Sequence, residues 1–270
     1  MPKIDHPPKF TTGWLTRSDC TALAGKARGR LASHARLLSR HSNEIDRAKQ
    51  SAASSLRHLP ADRRGQAVRD TVRGARMEQA RLSKDARLAH VREIVALGEQ
   101  AAKALPFYSN PVAVLNRQTL ADPKRQTYAA NLADAGPAEL KQLAEFAAAN
   151  GDHALAYACI ARCDRMPSRD RPFSRRELAD HMVGDECYTA QVALREVELA
   201  GMQALYDDTA FETGETSPQR ALEIAAKRRE LDRYVAEREP VDEEPEDELN
   251  PDERRIADEI KASLKLGGDA

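Results

Sequence analysis

Residues 63–105 read "RRGQAVRDTVRGARMEQARLSKDARLAHVREIVALGEQAAKAL", a run of 43 residues without a proline. Val68, Val72, Ala75, Leu82, Ala86 and Ala89 recur at helical spacing. The stripe broadens through Leu88, Val91, Ile94 and Val95, which predicts one long amphipathic helix that needs a partner along its length. The partner stands immediately upstream. From Thr16 to Leu59 there is again no proline, and Leu31, Leu38, Ile45, Ala52 and Leu59 repeat every seventh position. That row predicts a packing seam on a second long helix. Its companions three positions on are His34, His41, Ala48 and Ser55, polar or small, so this seam is too weak for an isolated coiled coil and must be covered by another helix. Pro60 breaks the chain between the two and Asp62 can cap the second. The expectation is an antiparallel helical hairpin over residues 17–105, on the order of 60 Å long.

Composition agrees. Of 270 residues, 41% are apolar, enough to bury a core, but only 4% are aromatic while 31% are charged. That balance, with few Val, Ile, Thr or aromatic residues, suits helices and excludes a large sheet, so the expected class is all-α. No run approaches the roughly 20 apolar residues that cross a bilayer, and the prolines of "MPKIDHPPKF" stand where a signal peptide would need its apolar core. A cytoplasmic protein, or one assembled into a virion, is expected. Cys20, Cys159, Cys163 and Cys187 are too few for a disulfide framework in a chain this long.

Outside the hairpin the punctuation is local and clear. Residues 1–16 are expected to form an extended arm carrying Trp14, the one tryptophan, as an apolar anchor. A boundary is expected near residue 106, followed by a loop-rich stretch, "PFYSNPVAVLNRQTLADPKRQ", and then a body of shorter helices over 106–239. Gly136-Pro137 starts a helix, Asn150-Gly151-Asp152 ends it and caps the next, and Met166-Pro167 stops that one. Ser174 with Glu177 matches a capping box opening a helix over about 175–206, and Ser217-Pro218 opens another over about 218–238. The small-residue surface of "LAEFAAANGDHALAYACIARC" is similar to that of tetratricopeptide hairpins, with no second copy at a fixed period. Residues 240–250 form an acidic, proline-containing linker. Residues 251–266 are expected to be a capped amphipathic helix whose Ile256, Ile260 and Leu264 line one face, too little apolar surface to stand alone and therefore a docking element.

The near-neutral net charge of -1 hides a segregation: residues 1–105 hold about 21 Lys and Arg against about 10 Asp and Glu, residues 236–270 about 5 against about 13. Arg69, Arg73, Arg76, Lys84 and Arg87 are expected to line one side of the second long helix, as a solvated face, a contact for acidic protein, or a path for phosphates. Cys159 and Cys163, four apart with His153, His181 and Cys187 at a distance in sequence, could share a zinc ion, but their spacing fits no zinc motif and buried thiols on a small-residue face are the simpler reading. No metal or cofactor is expected. Phosphate loops, nucleophile elbows, His-Glu-x-x-His and Cys-x-x-Cys are all missing. Asp185-Glu186 and Asp207-Asp208 read as solvent-facing carboxylates rather than an acid–base pair. The expected function is therefore a non-enzymatic assembly or adaptor role through protein–protein contacts, self-association included. In charge segregation and layout the chain resembles bacteriophage scaffolding and virion-associated proteins, a likeness of composition and plan. The alternative is a nucleic-acid-associated protein that uses the basic hairpin, with the acidic tail as internal competitor. If the terminal helix is a docking element, Ile260→Asp will weaken assembly while thermal melting of residues 1–239 stays unchanged; equal loss in the body would make it an ordinary part of the fold.

Overall fold

The computed structural model describes residues 15–238. Trp14 and nearly all of the arm, the linker 240–250 and the docking face Ile256, Ile260 and Leu264 lie outside the described residues. Packing divides the chain into two units, residues 1–227 and 228–270. Of the second, residues 228–238 are described, and they carry the closing turns of the last helix.

Among the described residues every regular element is helical, as composition predicts. The helices are α1 (Arg17–Ser55), α2 (Ala61–Tyr108), α3 (Pro111–Gln118), α4 (Lys124–Asn131), α5 (Pro137–Asn150), α6 (His153–Asp164), α7 (Arg175–Thr213) and α8 (Pro218–Ala236), with one 3-10 turn at Ser168–Asp170. Local chemistry accounts for most ends. Thr16 and Asp19 form a reciprocal capping box at the head of α1, with Asp19 N–H donating to Thr16 Oγ1 at 3.2 Å and Thr16 N–H to Asp19 Oδ2 at 2.9 Å. Gly151, at φ 64°, closes α5 in the left-handed region, and Asp152 then caps α6 by accepting from Leu155 N–H at 3.0 Å. At Ser174 the expected box does not form: the serine is the N-cap of α7 but its side chain makes no capping bond. Pro60 rather than Asp62 stands at the N-cap of α2.

α1 and α2 pack against each other as the expected hairpin. The α1 seam holds as far as Ala52, with Leu38, Ile45 and Ala52 buried and Leu31 half-buried, but Leu59 lies past the end of the helix, in the turn before Pro60. The hairpin does not end at its own surface, however. α7 lies along both helices and completes a three-helix bundle, running parallel to α1 and antiparallel to α2. The expected boundary near residue 106 falls inside α2, which continues through Pro106 to Tyr108. Proline is tolerated there because it removes only one bond in the last turn. The stretch expected to be loop forms α3, capped by Asn110 with Pro111 in its first turn, and α4. One core cluster joins α1, α2, α3, α5, α6 and α7, from Cys20 and Ala24 through Ile94, Leu115, Leu140 and Ile160 to Leu194 and Ala204. Alanines at Ala27, Ala101, Ala104, Ala147, Ala156, Ala179, Ala190 and Ala200 let the backbones approach closely.

The phase of α2 departs from the expected stripe in its middle. Val68, Val72 and Ala75 are half-buried, but Leu82 is 60% exposed and Ala86 and Ala89 face solvent. The buried row is Ser83, Arg87, Val91, Ile94, Ala101, Ala104 and Tyr108. Leu82 lies one residue, about 100° of helical rotation, from this row. The polar side chains enter because each finds a partner inside. In urea unfolding, Ile94→Ala, at 0% exposure, will therefore cost about 2–5 kcal/mol, whereas Leu82→Ala will stay within about 0.5 kcal/mol of wild type.

Candidate functional site

The core of the bundle is not continuous. The main cluster ends near Ala27, Ile94 and Ala204, and a smaller one forms beyond it from Leu38 and Ile45 of α1 and Phe211 of α7, with Val72 and Ala80 of α2 against it. Between them lies a polar layer: His34 from α1, Ser83 and Arg87 from α2, Asp208 from α7.

Arg87 is 1% exposed. Its Nη1 donates to Asp208 Oδ1 at 2.6 Å, its Nε to Ser83 Oγ at 3.1 Å and its Nη2 to the Ala80 carbonyl at 3.4 Å. Glu212 Oε2 stands 3.8 Å from Nη2, and the guanidinium lies over the Phe211 ring, 5.2 Å from its centroid. Ser83 is oriented by donating to the Gln79 carbonyl at 2.7 Å. Gln79 in turn holds His41, Oε1 to Nδ1 at 2.7 Å, and His41 meets the Phe211 ring edge-on. His34 is fully buried, yet neither of its ring nitrogens has a hydrogen-bond partner. Nε2 stands 3.8 Å from Asp208 Oδ1, beyond hydrogen-bond reach, and the ring faces His90 at 6.2 Å between centroids. Burial, the largest influence, lowers the pKa of His34; Asp208 opposes it and His90 and Arg87 reinforce it. The Asp208 carboxylate, expected in solvent, is thus committed to a guanidinium inside the bundle.

The basic stripe divides accordingly. Arg69, Arg73 and Lys84 are exposed on α2, as expected. Arg87 is buried, and Arg76 is half-buried, donating to the Phe211 carbonyl at 3.1 Å. The Arg76 guanidinium lies so close to Gly214 that a Cβ there would meet it at 2.8 Å, and Gly214 ends α7 at φ 76°. The five residues share a helix face, but α7 covers its C-terminal part. Arg87, expected on the exposed basic face, turns inward because the buried Val91–Ile94 row extends back to it and to Ser83 in steps of four.

α7 stops at Thr213, level with Arg76, while α1 and α2 continue together beyond that point to the turn at residues 56–60. In this two-helix end Leu56, Leu59, Val68 and Val72 are half-buried, and Arg57, Arg63, Arg69 and Arg73 are exposed. The first half of α8 turns back along α7, with Lys227 pairing with Glu198. A hollow of about 270 Å³ between them is lined by Met202, Leu205, Tyr206 and Ile224, and another of about 360 Å³ lies beside Ala144, Ala148, Phe173 and Leu178.

The cysteines pack rather than converge on a metal. Cys159 and Cys163 are buried free thiols, burial raising the former to about 12, and Cys163 Sγ donates to the Phe173 carbonyl at 3.7 Å. Among the described residues no three His, Cys, Asp or Glu side chains come together in a way that could hold a metal ion.

Removing one member of a buried ion pair leaves the other charge unpaired, so Asp208→Ala will cost about 3–5 kcal/mol in denaturant unfolding. The double change Arg87→Met with Asp208→Leu will recover most of that loss, whereas Arg69→Ala will be near neutral. Comparison with known protein families, with characterised proteins and with solved structures found no match in any of the three.

Proposed function

We propose that this chain is a non-enzymatic helical assembly or adaptor protein, and that the two-helix end of its hairpin is the surface that meets the partner. The observation that carries this reading is the length mismatch in the bundle: α1 and α2 outrun α7, so their shared stripe loses its third helix while still presenting Leu56, Leu59, Val68 and Val72. A helix pair gains most of its stability from packing, and an unfinished bundle end accepts a further helical surface. Exposed Arg57, Arg63, Arg69 and Arg73 outnumber Asp46, Asp62 and Asp70 around it, which selects an acidic partner. The same excess of cations disfavours joining two such ends to each other, so self-association would set this end against the acidic stretch 236–270 of another copy. The resemblance in layout to phage scaffolding and virion-associated proteins fits a protein whose work is assembly.

The exposed arginines also support the alternative, a nucleic-acid-associated protein, because cations spaced along a helix can follow phosphates. The two readings separate on the full-length chain. Sedimentation and crosslinking at rising concentration are expected to reveal a protein complex that weakens with salt. The charge reversals Arg69→Glu and Arg73→Glu should loosen it by about tenfold, since exposed ion pairs contribute about 0.2–1 kcal/mol each, and should leave thermal melting unchanged. A chain that stays monomeric and crosslinks to no protein would overturn the assembly reading, and salt-sensitive binding to duplex DNA lost in the same variant would put the alternative in its place.

A further inference from the structure

His34 combines two properties that rarely coexist: its side chain is fully buried, and both ring nitrogens lack a hydrogen-bond partner. An unpaired buried polar group costs about 1–3 kcal/mol, and a charged one costs more. The position is also where three helices meet. From α2 it is faced by Arg87 and His90, and from α7 by Asp207 and Asp208. On its own helix, Arg30 one turn back is turned outward to Glu93 at 2.8 Å. We infer that this layer is an acid-sensitive latch: with His34 neutral, α1 closes on α2 and α7, and a proton on the ring drives the three helices apart at this level.

The charge balance explains why the proton is not welcome. Asp208 Oδ1 already accepts from Arg87 at 2.6 Å, so the nearest carboxylate is neutralised before His34 gains a charge. Asp207 accepts from Gln203 at 2.8 Å on its own helix. A protonated His34 would add a second cation to a water-excluded layer beside Arg87, at 3.8 Å from an oxygen it does not bond. Desolvation therefore dominates, and the folded chain holds the ring neutral below the ordinary imidazole value. The sign follows. Above about pH 6.5 the ring is neutral folded or unfolded and nothing is lost. As pH falls below that value the unfolded chain takes the proton first, so stability drops until the folded-state pKa is reached. Loosening the layer would release Phe211 from Leu38 and Ile45 and uncover the small apolar cluster next to the hairpin end. The inference does not depend on which partner that end meets.

Two measurements on the full chain test it. Between about pH 7.5 and about pH 5.5 the unfolding constant of wild type should rise by up to tenfold per pH unit, the limit for one proton. His34→Leu should be flat over that range, and His90→Asn should keep most of the wild-type dependence. Should His34→Leu fail to fold, histidine-labelled wild type answers alone: the His34 ring signal should titrate below the ordinary imidazole value, with amide exchange in residues 30–40 and 204–213 accelerating on acidification. A His34 ring that titrates at or above about pH 6.5, or a His34→Leu variant that loses stability as steeply as wild type, would overturn the latch.

Discussion

The bundle depends on one interaction, the buried pair of Arg87 and Asp208. It joins α2 to α7 across 121 residues of sequence, and it is short, multiply hydrogen-bonded and closed to solvent. An ion pair in this setting gives little net stability over an apolar pair of the same volume, because both charges were solvated in the unfolded chain. What it supplies is a penalty for every other arrangement. If α7 slid or rotated by one residue against α2, both charges would be stranded in the core. An apolar interface built largely of alanine would tolerate such a slip at small cost, since alanines at neighbouring positions are nearly interchangeable.

The layer around that pair explains the rest of the bundle. Ser83 orients Arg87, Gln79 orients His41, and Phe211 closes the layer with its ring while its carbonyl receives Arg76. These bonds satisfy every member except His34, which is held by packing alone. Below the layer a large cluster fastens α3, α5 and α6 to the three long helices. Tyr108 ties its lower end, its hydroxyl donating to the Leu15 carbonyl at 2.7 Å and its backbone carbonyl accepting from Gln191 Nε2 at 2.8 Å. Above it, among the described residues, the buried cluster comprises Leu38, Ile45 and Phe211 before α7 ends. The structure is thus well secured at one end of the hairpin and sparsely covered at the other, and the sparse end carries the exposed arginines.

What was legible in the residues follows the range of the physics involved. The α1 seam was readable because Leu38, Ile45 and Ala52 repeat without a competitor. Gly136-Pro137, Asn150-Gly151-Asp152 and Ser217-Pro218 mark real helix ends because capping involves residues within one turn. The α2 stripe misled because two candidate rows lie side by side there. Leu82, Ala86 and Ala89 make one, Ser83, Arg87 and Val91 the other, and hydrophobicity by itself favours the first. Pro106 and the prolines after it suggested a loop, yet a proline in a last or first helical turn interrupts little.

The sequence by itself determined that the chain is helical, that its first two helices form a hairpin, and where most of the shorter helices begin and end. Only the tertiary structure decided that α7 is the third member of that bundle, that α2 turns Arg87 inward and Leu82 outward, and that His34 lies unpaired between them. The reason is the same in each case. Periodicity and caps are written in neighbouring residues, but burying a charge is favourable only when its partner is present, and Asp208 reaches Arg87 only after the chain has folded.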